Sequence, residues 1–186
     1  MKCDPRRVWY HGDQQHRLTF VDQRFQPQHG ANAVGPGIYF TASREQARGY
    51  AWPSGWLYAA RISGRCATDR QRMTPIELRR FLAMLSDEGR EYLFSNYDDD
   101  PRRALSKIVA AYTTAGDVGI DLVSAAADLG RQGGLDYASE GRTWAKAMVK
   151  LGYVALLHRL PKVDHLVVWD PSALTIVEEE PVRHDR

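Results

Sequence analysis

The chain predicts an α+β fold, because strand-like segments gather at its two ends and a helical block separates them. Three observations carry this expectation. The first 62 residues hold short runs of aromatic and β-branched residues punctuated by glycine. Residues 74–151 repeat apolar side chains at helical spacing. From Tyr153 onward the pattern returns to short apolar runs broken by turn residues. Strands grouped in this way argue against alternating βαβ units and a parallel sheet.

The elements follow in order. Val8-Trp9-Tyr10 is a strand ending at Gly12. Residues 13–34 are polar and weakly patterned, so they read as a loop with a short helical piece at His16–Phe20. Ile38-Tyr39-Phe40-Thr41 is a strand entered through Gly35-Pro36-Gly37, a strong turn signal. Ser43 caps a helix that runs to about Tyr50, with Gln46 at the third helical position as in a capping box. Trp56–Ile62 is the next strand, closed by Ser63-Gly64.

In the middle, Thr74-Pro75-Ile76-Glu77 spells an N-cap, a first-position proline and a capping-box glutamate. Leu78, Phe81, Leu82 and Leu85 form its apolar stripe. A second helix starts at Asp100-Pro101, with Leu105, Ile108, Val109 and Tyr112 as its stripe. The acidic run Asp98-Asp99-Asp100 reads as capping and dipole complementation. A third helix covers about 118–129, with Leu122, Val123 and Ala126 inward. A fourth runs from Ser139 through Trp144, Ala147, Met148 and Leu151, with Gly152 just past its end. Tyr153–His158, Leu166–Trp169 and Leu174–Val177 are the closing strands, Asp170-Pro171-Ser172 is a turn, and 178–186 read as a frayed charged tail.

Composition bounds the function. A chain of 186 residues predicts one domain, 1–186, with the helical insertion at about 74–151. A net charge of +2 is too small to argue for nucleic acid. Cys3 and Cys66 are far apart and have no Cys/His cluster, which predicts reduced thiols and no metal. No apolar run is long enough for a bilayer, and the first residues lack the apolar stretch of a signal peptide. The expected location is therefore cytoplasmic, with no membrane partner. Arg6, Arg7, Arg17, Arg61 and Arg65 flank the strands and read mainly as solvated surface, with diphosphate contact as the alternative.

Three segments carry chemistry. His11 sits at a strand end beside Gly12, where an imidazole can bond a ligand hydroxyl and the glycine lets the backbone approach a planar group. Tyr39 and Phe40 point to opposite faces, so one packs inward while the other lines a cleft. Tyr50, at the end of the following helix, can bring a second ring to the same place. Asp164 and His165 precede a buried strand, and only one of them can face such a cleft. Gly35-Pro36-Gly37 precedes a strand instead of opening a helix, which is wrong for a Rossmann fingerprint.

Tyr10-His11-Gly12, then Gly37-Ile38-Tyr39-Phe40-Thr41 with its capped helix, then Leu151-Gly152-Tyr153-Val154, then Leu166-Val167-Val168-Trp169-Asp170-Pro171-Ser172 resemble the ADP-ribosyltransferase fold. The likeness is to its diphtheria-toxin and poly(ADP-ribose) polymerase branch, which uses a His-Tyr-acid triad. It covers about 7–62 and 146–178. It implies a split antiparallel β-sandwich with a helical insertion. It further implies an NAD-dependent mono-ADP-ribosyltransferase that modifies a macromolecular acceptor, a protein before a nucleic acid, and releases nicotinamide. NAD is then a substrate, and no metal is needed. The resemblance implies that His11 holds a ribose hydroxyl, Gly12 pairs with the carboxamide, and Tyr39 and Tyr50 sandwich the nicotinamide. Phe40 and Ser43 border the same pocket. The family's serine on the helix falls near Gln46-Ala47, and its glutamate falls on His165 with Asp164 one residue earlier. That departure opens a second expectation, a weakly active or inactive module that binds NAD or ADP-ribose.

Overall fold

A computed structural model describes residues 2–14, 37–68, 73–95, 97–113, 145–159 and 161–183. The expected helices at His16–Phe20 and 118–129 lie outside these residues. Those described form two compact units. One is a sheet unit built from the chain before 69 and after 152, and the other is the helical block between.

The sheet unit holds β1 (Trp9–Asp13), β2 (Ile38–Thr41), α1 (Arg44–Ala51), β3 (Trp56–Ile62), β4 (Arg65–Thr68), β5 (Tyr153–Arg159), β6 (Asp164–Val168) and β7 (Leu174–Pro181). Its seven strands run β4-β5-β6-β2-β1-β3-β7 as one continuous sheet. Only β4 and β5 are parallel. The fold is therefore α+β and mostly antiparallel, as the grouping of the strands requires. The ladder is continuous across all seven strands, with β1 and β2 joined at a single register pair.

Local chemistry explains the elements. Ser43 caps α1, its Oγ accepting from the Gln46 N–H at 3.2 Å. Asp170 starts a 3₁₀ turn at Pro171–Ala173, its carboxylate accepting from the Ser172 N–H. Gly37 has φ +148°, and a Cβ there would meet Val167 Cγ1 of β6 at 2.5 Å, so this approach of β2 to β6 needs glycine. β7 is longer than its sequence suggests. Glu178, Glu179, Glu180 and Pro181 pair with β3, and Val182 beyond them is 3% exposed. Main-chain bonds and a buried valine hold a segment whose charge alone reads as a loose tail. β4 has little apolar pattern of its own and forms by parallel pairing on β5.

One face of the sheet buries Trp9, Phe40, Ala60, Ile62, Leu166 and Val168 with both cysteines. On the other face α1 packs through Ala47 and Ala51 against Leu57, Val182 and Tyr10. This contact is close: a Cβ on Gly12 would lie 1.9 Å from the Ala47 carbonyl oxygen. Gly12 is thus a packing glycine, whatever else it does. Arg44 ties α1 to β7 by ion pairs to Glu178 at 2.8 Å and Glu180 at 2.9 Å.

The cysteines overturn an expectation. Cys3 and Cys66 form a disulfide, with Cα atoms 5.4 Å apart. Residues 63 positions apart in sequence meet because the N-terminal segment bridges β4 at Lys2 and Arg65, and the Cys3 N–H donates to the Gly64 carbonyl. No described helix is long and apolar enough to cross a membrane.

The helical unit holds α2 (Pro75–Met84), α3 (Asp87–Ser95), α4 (Pro101–Thr113) and helical turns at 145–150. The capping box of Thr74 and Glu77 forms on both sides. Leu78, Phe81, Leu82 and Leu85 are buried as their spacing requires. α3 has no matching periodic signal and was not expected from sequence. The α4 stripe is displaced: Ala104 and Ile108 are buried, while Leu105 is 40% exposed. Asp100 caps α4 through the Arg102 N–H, and Lys107 bonds Asp98 at 2.7 Å. That ammonium holds the Asp98 carboxyl below its ordinary pKa. Gly152, at φ +85°, ends the turns at 145–150 in the left-handed region.

Gly12→Ala should destabilise the protein by about 2 kcal/mol, since the methyl meets backbone instead of a movable side chain. Gly49→Ala on α1, where a Cβ meets nothing within 4 Å, should leave stability unchanged or raise it by up to about 1 kcal/mol. Denaturant midpoints of the two variants check the contrast.

Candidate functional site

The candidate residues from the first two segments meet at the seam between β1 and β2. β1 pairs with β3 at five positions but shares a single register pair, Tyr10 with Thr41, with β2. Beyond that pair the ladder gives way to a side-chain bond: His11 Nδ1 lies 2.6 Å from the Tyr39 carbonyl oxygen. A carbonyl can only accept, so Nδ1 carries the proton. The neutral ring then presents Nε2 as an acceptor. Burial lowers the His11 pKa, against smaller opposing effects of the Tyr39 carbonyl and Asp13. Near neutrality the imidazole is uncharged, with its tautomer set by the backbone. Its ring leans on Phe40 at 5.4 Å and Tyr58 at 6.2 Å between centroids.

Register sorts the candidate residues by face, because directly opposed residues in antiparallel strands share a side and neighbours alternate. Tyr10 packs toward α1 and opposes Thr41. Thr41 opposes His165, and Tyr39 opposes Val167. Gly12, Tyr39, Thr41 and His165 therefore belong to the α1 side. His11, Phe40, Leu166 and Asp164 belong to the other. Phe40 is a core side chain, 2% exposed, and this corrects its assignment to the ligand pocket. Ser43 acts as the α1 cap. Tyr50 sits at the end of α1 with 58% exposure, open to a partner ring or a ligand.

The third position resolves the same way. His165, on the side of Tyr39, opposes Thr41 on β2 and His158 on β5. Its Nε2 is buried and has no hydrogen-bond partner among the described residues. Burial and then the neighbouring His158 lower its pKa, so it too is neutral near pH 7. Thr41 is a buried polar side chain here, donating to Gln46 Oε1 at 2.7 Å and accepting from the Ser43 N–H. Asp164 points to the opposite side and pairs with Arg7 at 2.8 Å. Arg7 also lies over the Trp9 ring at 4.2 Å, and Arg65 stacks on Tyr153 while donating to its hydroxyl at 2.7 Å. These two arginines are structural partners, not loose surface.

Sequence reasoning missed the Arg7–Asp164 pair and the His158–His165 pair. Both depend on register across strands, which spacing within one strand does not reveal. The described residues contain no group of three or more metal-ligating side chains. No family model matches the chain, and neither a curated protein nor a solved structure matches it.

The lowered pKa of His11 fixes a sign. In the unfolded chain His11 titrates near 6.5, while the folded site resists the proton. Its contribution is fully present above that pH, and stability falls as pH drops below it, down to the folded pKa. Thermal midpoints between about pH 7.5 and 5.5 should decline in the parent, and His11→Gln should remove part of that decline.

Proposed function

We propose that the chain binds NAD at the β1–β2 seam and transfers its ADP-ribosyl group to a macromolecular acceptor, a protein before a nucleic acid. The observation that carries this reading is the His11 imidazole, held in one tautomer by the carbonyl of Tyr39 at the point where the ladder opens. A hydrogen-bond acceptor fixed in this way suits a ribose hydroxyl. Tyr39 and Tyr50 offer flat faces on the side that α1 occupies, opposite His11, so on this reading one ligand meets both the rings and the imidazole by crossing the open end of the seam. The reaction breaks the bond between nicotinamide and ribose, and the electron pair leaves with nicotinamide. An acceptor nucleophile then bonds the ribose carbon. Charge on that ribose is positive in the transition state, so a carboxylate nearby would stabilise it.

The geometry also favours a second reading. His165, the residue on the side of Tyr39, is neutral, and the charge of Asp164 is matched by Arg7. A site so arranged holds the dinucleotide better than it cleaves it. On this reading the domain recognises NAD or ADP-ribose without turnover.

Calorimetry with NAD beside a nicotinamide-release assay separates the two. Transfer predicts both heat and release, and label from NAD appearing on protein in a cell lysate. His11→Ala should then lower release about 100-fold, the cost of losing one well-placed group. Asp164→Ala should cost a similar factor if Asp164 is the electrostatic partner. Heat without release supports the binding module. Neither heat nor release rejects both.

A further inference from the structure

We propose that His158 and His165, directly opposed on β5 and β6, form a two-imidazole site for a divalent transition-metal ion of the copper, nickel or zinc kind. The inference makes no use of the NAD reading and is tested without NAD.

The ladder carries the geometry. β5 and β6 follow one another in the chain, and the register pairs nearest their connection are His158 with His165 and Arg159 with Asp164. Opposed residues of an antiparallel pair share a side, so both imidazoles stand on the side of Tyr39 and Thr41. Opposed Cβ atoms lie about 5 Å apart. An ion about 2.0–2.1 Å from each of two nitrogens, at a tetrahedral angle, needs those nitrogens about 3.3 Å apart. Two imidazoles leaning together across one rung can meet that spacing with no change of register. Both residues are half-buried, and the χ2 torsion of an imidazole is soft, so the rings can turn to admit an ion from solvent.

A second observation points to a ligand. The Nε2 atom of His165 is enclosed by protein and has no hydrogen-bond partner among the described residues. An enclosed polar nitrogen costs free energy until something satisfies it. Thr41, opposite on β2, does not, because its hydroxyl donates to Gln46 and accepts from the Ser43 N–H. Imidazole lone pairs select Cu²⁺, Ni²⁺ and Zn²⁺ over Mg²⁺ and Ca²⁺, which take oxygen ligands. The described residues supply no third metal-ligating side chain to the pair. Water completes the coordination, and the ion ties one rung of the β5–β6 ladder.

The test titrates the metal-free full chain with Cu²⁺, Ni²⁺, Zn²⁺ and Mg²⁺ by calorimetry. The tightest site should take one equivalent, bind Cu²⁺ most strongly and give no heat with Mg²⁺. Pulsed electron paramagnetic resonance of the copper form should show two imidazole ligands. Losing even an outer-shell partner costs about 10–100-fold in metal affinity, so His158→Gln and His165→Gln should each weaken Cu²⁺ binding at least about 100-fold. His11→Gln, on the other side of the sheet, should bind Cu²⁺ as the parent does. Saturating Zn²⁺ should raise the thermal midpoint of the parent and leave both ligand variants unmoved. Ascorbate added to the copper form oxidises ligating imidazoles, and peptide mapping should find the added oxygen on His158 and His165. That mapping, done on the parent, decides the matter even if a variant fails to fold. Copper held by one imidazole, oxidation confined to other residues, parent affinity in either ligand variant, or no binding of any ion would overturn the proposal.

Discussion

The approach of α1 to β1 at Gly12 is the constraint from which the candidate site follows. Backbone meets backbone there, with no room for a side chain. The alanines at 47 and 51 let the helix lie that close, and Tyr10 fills the space beside them. Once α1 is seated, Ser43 and Gln46 fall where they bond Thr41, and Tyr50 is carried to the helix end. The ion pairs from Arg44 to Glu178 and Glu180 join the same helix to the far strand. Those pairs are half-exposed and add roughly 0–1 kcal/mol, so burial of the alanine face and the fit at Gly12 decide where the helix sits.

The seam between β1 and β2 is where ladder bonding yields to side-chain chemistry. A strand pair held over a full register needs no imidazole to satisfy its carbonyls. Here His11 takes the Tyr39 carbonyl, and that bond both closes the seam and fixes the ring. Its Nε2 lone pair is a consequence of the tautomer. Burial adds to this by disfavouring the charged ring. The two effects act together: one chooses which nitrogen holds the proton, and the other limits the ring to a single proton near neutrality.

Much of the fold was legible in sequence, and the reasons differ by element. The caps at Ser43 and Thr74 are local, made within a few residues, so their spelling determines them. The stripe of α2 is legible because Leu78, Phe81 and Leu82 leave one choice of face. The stripe of α4 misleads because Ala104 is small: hydrophobic size points to Leu105, whereas packing selects the alanine. β4 and the glutamate end of β7 were illegible because pairing partners, not their own residues, make them strands. For the candidate site, sequence singled out His11, Tyr39 and the Asp164/His165 pair and left their sides open. The sides came from one number, the register between Thr41 and His165. A shift of one residue would exchange Asp164 for His165 throughout.

That register has a chemical consequence which also involves the N-terminal segment. Asp164 is the carboxylate of the pair, and the residue that answers it, Arg7, follows a turn at Asp4 that begins at the disulfide. Arg7 is further steadied by its stack on Trp9, itself buried in the core. The disulfide, the turn and the ion pair thus lie on one short stretch of chain, laid against the face of the sheet opposite α1. A half-exposed ion pair holds weakly by itself, and the turn and the stack supply the positioning that the pair alone lacks. The charge at Asp164 is therefore a property of residues 3–9 as much as of β6. A sequence motif centred on β6 cannot convey it, because the cation that sets it comes from the other end of the chain.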